Sequence, residues 1–353
     1  MRTHGHPSDK RVVMTSSNSG ARWSATSLVR LLSVLLLAAV AARCASHSAP
    51  PQPFPRPSSP DQTLTLRVEV GTGHNPRVRS IPLEEYVRGS VPAEMPLGPD
   101  GAVASRLARL QAILARTYAL ASRGRHQHEG FDLCSSTHCQ VYVPAANQTT
   151  AVARLVAAAV ADTRGMIITS GHGPIEALFH ADCGGHTSSA TAVWGGPAPE
   201  YLSGVPDSFC LTERRDDWRL DLTRDHLRRI LNSATDTTVG RRLDSVVVVD
   251  RDAAGRATHV ELRGTEQRRV RAVRFRAVLA QQLGARAFRS TLFRVASSPA
   301  GFEFAGQGFG HGVGLCQTGA IVQARTGNTV EQILAHYYPG AWLETYRPSL
   351  TTE

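Results

Sequence analysis

Residues 306–320 read GQGFGHGVGLCQTGA. Glycine recurs at alternate positions from Gly308 to Gly314 around a central His311, so backbone N–H groups there can approach a ligand closely. A phosphate loop would end in Lys followed by Ser or Thr, within the strand-to-helix context of a nucleotide site. The run Leu315-Cys316-Gln317-Thr318 has neither feature, so the phosphate reading is excluded. Strands are expected near Phe293–Ala296 and Gly301–Ala305, with a helix from Val313 to about Thr326. His311 and Gln317 read as lining a ligand cleft, and a satisfied buried histidine is the plainer alternative.

Working back from that loop, strand and helix signatures mix along the chain without an internal repeat, which defines the class as α+β. LTLRVEV, Leu64–Val70, alternates as a strand does. Val78–Arg88 reads as a short strand into a helix, with Pro82 at the first turn and Glu84 and Glu85 near its positive end. GSVPAEMP, Gly89–Pro96, follows as a proline-bounded loop carrying Glu94. Ala102–Arg123 has a helical stripe of Leu107, Leu110, Ile113, Leu114 and Ala121. Ala151–Ala161 is a second helix, and Gly165–Ile168 with Ile175–His180 resemble a hairpin. TRDHLRRIL, the two alternating strands of Ser245–Gly264 around Gly255, and a helix over Phe275–Ala280 mark residues 213–300 as a sub-domain within one elaborated domain, 63–353.

The N-terminus has the layout of an export signal. Arg2, Lys10, Arg11, Arg22 and Arg30 stand against Asp9, and LLSVLLLAAVAA, Leu31–Ala42, follows. That run is short of the roughly 20 apolar residues of a membrane span. Both cleavage within residues 1–45 and retention as an anchor are open. Cys44 is a candidate for lipidation, although Arg43 precedes it where a small residue belongs. The tract HSAPPQPFPRPSSPDQ, His47–Gln62, reads as a semi-rigid linker. The expected location is the cell envelope or periplasm. Of the formal charge of +10, residues 1–45 supply six basic groups and one acid, or +5. With no basic helix and no aromatic-interleaved arginine stripe, nucleic acid is not an expected partner.

The chain has six cysteines. His128, Cys134, His138 and Cys139 together offer two imidazoles and two sulfurs, enough for a closed tetrahedral zinc site. A Cys134–Cys139 disulfide is the rival in an exported protein, and His126 can replace His128. Cys183 is expected to bridge to Cys210, closing a loop over VWGG, and Cys316 to be a buried free thiol.

Five blocks stand in series: Glu94-Met-Pro, Ala115-Arg-Thr-Tyr-Ala119, Gly184-Gly-His-Thr187 followed by Val193-Trp-Gly, Gly310-His-Gly-Val-Gly-Leu-Cys-Gln-Thr-Gly-Ala320, and His336-Tyr-Tyr-Pro-Gly340. In order and wording they resemble the stage II sporulation protein D and amidase-enhancer family of bacterial cell-wall proteins. The segment between Glu94 and Arg116 departs from the family by a few extra residues. The resemblance implies lytic transglycosylation: cleavage of the MurNAc–GlcNAc bond in peptide-stripped peptidoglycan, leaving 1,6-anhydro-MurNAc ends. It places Glu94 as the catalytic acid and then base, with Arg116, Tyr118, Thr187, His311 and Gln317 on the substrate. It also implies structural zinc on His128, Cys134, His138 and Cys139. No cofactor is implied for catalysis. One carboxyl can suffice when the sugar's own 6-hydroxyl attacks, whereas hydrolysis by water uses two. The alternative implied by the same family is a non-catalytic wall-binding protein that enhances an N-acetylmuramoyl-L-alanine amidase. A zinc hydrolase has no His-Glu-x-x-His segment to support it.

Overall fold

The computed structural model describes residues 64–71, 76–144, 147–213 and 217–347. All of these belong to the unit Pro57–Glu353. The apolar run Leu31–Ala42, Cys44 and the Pro-rich tract lie outside the described residues. The fold is a mixed α+β arrangement of short sheets and helices around three hydrophobic clusters. No described helix is long and apolar enough to cross a membrane.

Strand β1 (Thr65–Val70) pairs antiparallel with β2 (Arg77–Pro82), and Pro82 is the N-cap of helix α1 (Leu83–Glu94). The loop expected over Gly89–Pro96 is instead the last turns of α1, which continues through Pro92 and ends at Glu94. Proline lacks the N–H that would bond the carbonyl four residues back. Here the Gln148 side chain donates to that freed carbonyl, Arg88 O, at 3.0 Å. Helix α2 (Gly101–Ala121) is capped by Asp100, whose carboxylate accepts from the Ala102 and Val103 N–H groups. β3 (Leu133–Cys134) adds to β1 in parallel, and α3 (Thr150–Asp162) packs on α1 and α2. Leu66, Val68, Tyr86, Val91, Ala115 and Val156 are buried between them.

Strand β4 (Met166–Thr169) does not form the expected hairpin with residues 175–180. Its antiparallel partner is the C-terminal strand Trp342–Thr345, and contact with the nearer segment is limited to a bridge at Pro174 and one bond from Ile175 N to Ile168 O. A proline has no donor with which to extend the ladder. β5 (Phe179–His180) pairs in parallel with Leu315–Cys316. Two one-turn helices follow, α4 (Ala190–Trp194) and α5 (Ser208–Thr212).

From β6 (Trp218–Thr223) the chain builds a second core. It runs through α6 (Arg224–Leu231), β7 (Leu243–Arg251), β8 (Ala257–Gly264), β9 (Gln267–Arg271), α7 (Ala272–Leu283), β10 (Phe293–Ser297) and β11 (Gly301–Gly306). The strands form two three-stranded sheets, ordered β7-β8-β9 and β10-β11-β6. Phe275, Phe288, Phe293 and Phe304 pack ring on ring, with Trp218 against Phe288.

The glycine-rich loop then leads into β12 (Leu315–Cys316), α8 (Gln317–Arg325), α9 (Val330–Tyr337) and β13 (Trp342–Thr345). Helix α8 begins at Gln317, four residues later than the apolar pattern suggests. Gly314 has φ +69, and a Cβ there would lie 2.1 Å from the Leu178 carbonyl oxygen. The backbone therefore passes β5 as a strand before turning helical.

Candidate functional site

The segment 140–142 is fastened to α1: the Tyr142 ring stacks on Tyr86 at 5.6 Å, and the Tyr86 hydroxyl donates to Gln140 Oε1 at 3.3 Å. That fastening presents the Val141 N–H to the Glu94 carboxylate at 2.5 Å. From the other side, Gln317 at the start of α8 donates from Nε2 to the Glu94 carbonyl at 2.7 Å. Glu94 is half-buried, and burial pushes its carboxyl above the usual 4.5, with the Val141 N–H opposing. Its place at the C-terminal, negative end of α1 disfavours ionisation further. The arrangement is a carboxyl group inclined to keep its proton, held by one neutral donor and beside the exposed turn Pro96–Pro99. Pro96, Leu97 and Pro99 line a groove with Thr318 and Ile321 of α8.

The glycine-rich loop is wrapped on Arg256, which carries no sequence signal beyond its position after the turn at Gly255. Arg256 is 1% exposed, and its guanidinium donates to the carbonyls of Cys183 at 2.8 Å and of Asp182 and Gly310 at 3.4 Å. Gly312 has φ +86, and a Cβ there would sit 2.5 Å from Arg256 Nε, so the cation and the glycine require one another. His311 packs 5.5 Å from the His180 ring and 5.4 Å from the ring of Trp194, which is 44% exposed. Its Nδ1 accepts from the Val313 N–H at 3.1 Å, which leaves the proton of the neutral ring on Nε2. Burial, then the Arg256 and Arg276 charges, lower its pKa to about 4.

Three of the expected substrate residues lie elsewhere. Arg116 is fully buried, and its guanidinium grips Glu84 through two bonds of 2.8 and 2.7 Å and also donates to the Met166 carbonyl at 3.1 Å. It ties α2 to α1 and has no face left for a ligand. Tyr118 is buried too, its hydroxyl accepting from Arg125 at 2.9 Å. Thr187 is 1% exposed and closes a loop through its hydroxyl, which accepts from Val205 N at 2.7 Å. The motif residues cluster because they build the walls of the fold; Glu94 and His311 remain part-exposed, and the buried Gln317 reaches the Glu94 carbonyl.

Among the described residues, two groups of side chains have the donor atoms and closeness to hold a metal ion. In the first, one ligand atom each from His126, Cys134, His138 and Cys139 lie within 4.8 Å of one another. Cys139 Sγ is 3.3 Å from His126 Nε2, and both sulfurs are 3.8 Å from His138 Nδ1. His126 takes the place expected for His128, which is exposed on the turn Gln127–Glu129. Glu129 holds the His126 ring through Nδ1 at 2.5 Å and so aims Nε2 at the sulfurs. Two imidazoles and two free thiols at this spacing fit a tetrahedral, borderline-soft cation. Cys134 and Cys139 are both free.

In place of the expected Cys183–Cys210 disulfide both thiols are free, close together and each also within reach of a carboxylate. Cys183 Sγ donates to Asp207 at 3.3 Å and Cys210 Sγ to Asp182 at 3.4 Å. Asp207, Cys183, Cys210 and Cys316 form the second group. Asp207 was not singled out in the sequence, although its place three residues before Cys210, as the N-cap of α5, is a recognisable capping signal.

The family described as Stage II sporulation protein matches residues 72–170, and a domain of unknown function (DUF8618) matches residues 212–314. An uncharacterized protein of Brachyspira hyodysenteriae is 31% identical over 271 residues, covering 76% of this chain and 68% of its own length. The stage II sporulation protein D of Bacillus subtilis is 28% identical over 288 residues, 75% of each chain. The amidase enhancer of Bacillus subtilis is 26% identical over 303 residues, 74% of this chain but 40% of the enhancer. The chain belongs to the stage II sporulation protein D and amidase-enhancer family.

Proposed function

We propose that the protein is an exported lytic transglycosylase of peptidoglycan that acts in the cell envelope, with Glu94 as its acid and base. The observation that carries the reading is a single half-buried carboxyl with a raised pKa, positioned from both sides by the Val141 N–H and the Gln317 side chain. A protonated Glu94 gives its proton to the oxygen leaving the MurNAc–GlcNAc bond. The 6-hydroxyl of the same MurNAc attacks the anomeric carbon, and the Glu94 carboxylate takes the hydroxyl proton. The bond count closes without water, the product is a 1,6-anhydro-MurNAc end, and the enzyme regains its starting protonation.

His126, Cys134, His138 and Cys139 would hold a structural zinc, which supplies a fixed crosslink rather than a reacting centre. Val141, whose N–H meets Glu94, lies two residues beyond Cys139, so ordering this cluster orders a contact to the acid. The exposed Trp194 ring beside His311 offers an apolar face for a sugar.

Digestion of peptide-stripped glycan strands by the protein, read by mass spectrometry, tests the proposal. New anhydro-MurNAc ends, absent with Glu94→Gln, support it. Glycan binding by the folded native protein without new ends contradicts it and leaves a wall-binding partner of an amidase as the account.

A further inference from the structure

The second cluster is more deeply sealed than the first. Cys183, Asp207 and Cys316 are 0% exposed and Cys210 is 2% exposed. They come from separate elements: Cys183 follows β5, Asp207 and Cys210 cap and form α5, and Cys316 ends β12 as the N-cap of α8. One ligand atom from each lies within 4.8 Å of all the others. With Zn–S bonds of about 2.3 Å, tetrahedral zinc holds its sulfurs about 3.8 Å apart. The cluster therefore needs movements of no more than about 1 Å to close on an ion. We propose that Cys183, Asp207, Cys210 and Cys316 form a second zinc site, closed to solvent and structural.

The surroundings suit thiolates. Three backbone N–H groups point at sulfur: Gly185 N at Cys183 Sγ, 3.3 Å; Cys183 N at Cys316 Sγ, 3.3 Å; and Gly319 N at Cys316 Sγ, 3.5 Å. Asp207 is oriented by the Tyr337 hydroxyl at 2.9 Å and by the Cys210 N–H at 3.1 Å. Such donors around the ligands are what hold a metal-bound thiolate and carboxylate in place. A disulfide would use two of the sulfurs and leave the third without a role in this convergence.

A buried cation also lies close to the cluster. Arg256 is buried, its guanidinium donates to carbonyls, and its Nε has no hydrogen-bond partner. Cys183, Cys316, Asp182 and Asp252 are acidic neighbours of this cation, and His180, His311 and Arg276 are its basic ones. Zinc with three thiolates and one carboxylate carries a net charge of −2, which places an anion beside this buried cation. On binding, the three S–H protons leave to solvent as three Zn–S bonds and one Zn–O bond form, with no change of oxidation state. Three thiolates with a carboxylate select a borderline cation over hard Mg²⁺ or Ca²⁺. Four protein ligands leave no open position for chemistry. The next residue after Cys316 is Gln317, so the ion would anchor the element that reaches Glu94.

The test is metal content of the full-length chain, purified under reducing conditions with zinc and without chelator. Two zinc ions per chain are expected, one lost in Cys139→Ser and the other in Cys316→Ser. Cobalt titration of the native chain covers the case in which Cys316→Ser does not fold. Two equivalents together should bring tetrahedral bands and the thiolate-to-cobalt absorption of five thiolates, two from the first cluster and three from the second, in whichever order they fill. Zinc content unchanged by Cys316→Ser, a second cobalt equivalent without thiolate absorption, iron or copper in place of zinc, or a Cys183–Cys210 disulfide in the native peptide map would each overturn the proposal. None of these readouts involves glycan cleavage, so they stand or fall apart from the role of Glu94.

Discussion

Helix α1 carries a carboxylate at each end, and the two are treated in opposite ways. Glu84, in the first turn, meets the positive end of the helix and both prongs of the buried Arg116 guanidinium. Glu94, the last residue, meets the negative end, a single amide and a partly apolar setting that raises its pKa. One helix thus holds an acid clamped by a buried guanidinium and an acid that burial inclines to keep its proton. The difference lies in surroundings set by residues far away in sequence, Arg116 at one end and Val141 at the other.

Removing the cation should break the comparison most severely. Arg116→Met leaves Glu84 as an uncompensated charge that is only 19% exposed, and should cost about 3 kcal/mol of stability, measured by denaturant unfolding. On the proposed function, glycan cleavage per folded molecule should be unchanged, because the buried Arg116 guanidinium is taken up by Glu84 and the Met166 carbonyl. Lost cleavage at intact stability would restore a substrate role for Arg116.

A second effect comes from the other end of the site. His311 is held neutral, its pKa lowered from 6.5 to about 4 by burial and by Arg256 and Arg276, with the Phe179 carbonyl opposing. The unfolded chain takes up this proton first as pH falls. Stability is therefore full above about 6.5 and is lost on acidification towards 4, by up to about 3 kcal/mol. The midpoint temperature should fall across that window, and His311→Gln should flatten the fall.

Glu94 has the reverse sign. Its folded pKa lies above 4.5, so its contribution is full below the unfolded value and declines as pH rises through the folded one. Glu94→Gln, which cannot ionise, should match the native protein at pH 4 and melt at a higher temperature at pH 7. Equal melting at both values would remove the strained-acid account. The smallest effect expected is at Gln317→Ala, which removes one hydrogen bond from the Glu94 carbonyl. A loss of about 1 kcal/mol, near fivefold in cleavage rate, is expected with little change in stability.

Local signals carried much of the fold. Alternation exposed β1, β7 and β8, the apolar stripe exposed α2, and Pro82 with Glu84 and Glu85 marked the start of α1. Its end was hidden: Pro92 reads as a helix breaker until Gln148, more than fifty residues on, is known to satisfy the freed carbonyl. The hairpin after β4 stops at Pro174, which has no N–H with which to extend the ladder, and the long partner of β4 is a C-terminal strand on its other edge. At the site, Glu94 and three members of the first cluster, Cys134, His138 and Cys139, could be picked out from the sequence, whereas His128 was expected as the fourth and His126 stands there instead. The roles of Arg116, Tyr118 and Thr187 could not, because a motif shows that residues belong together without showing which face the cleft. Arg256 contributes through tertiary contact alone, while Asp207 has only its local cap of α5 to mark it.

The most direct test sets the two acids of α1 side by side: peptide-stripped glycan is digested with the native protein, Glu94→Gln and Glu84→Gln, and anhydro-MurNAc ends are counted per folded molecule. The account predicts a loss of about 10²- to 10⁴-fold for Glu94→Gln and native yield for Glu84→Gln. Native yield from Glu94→Gln would contradict it.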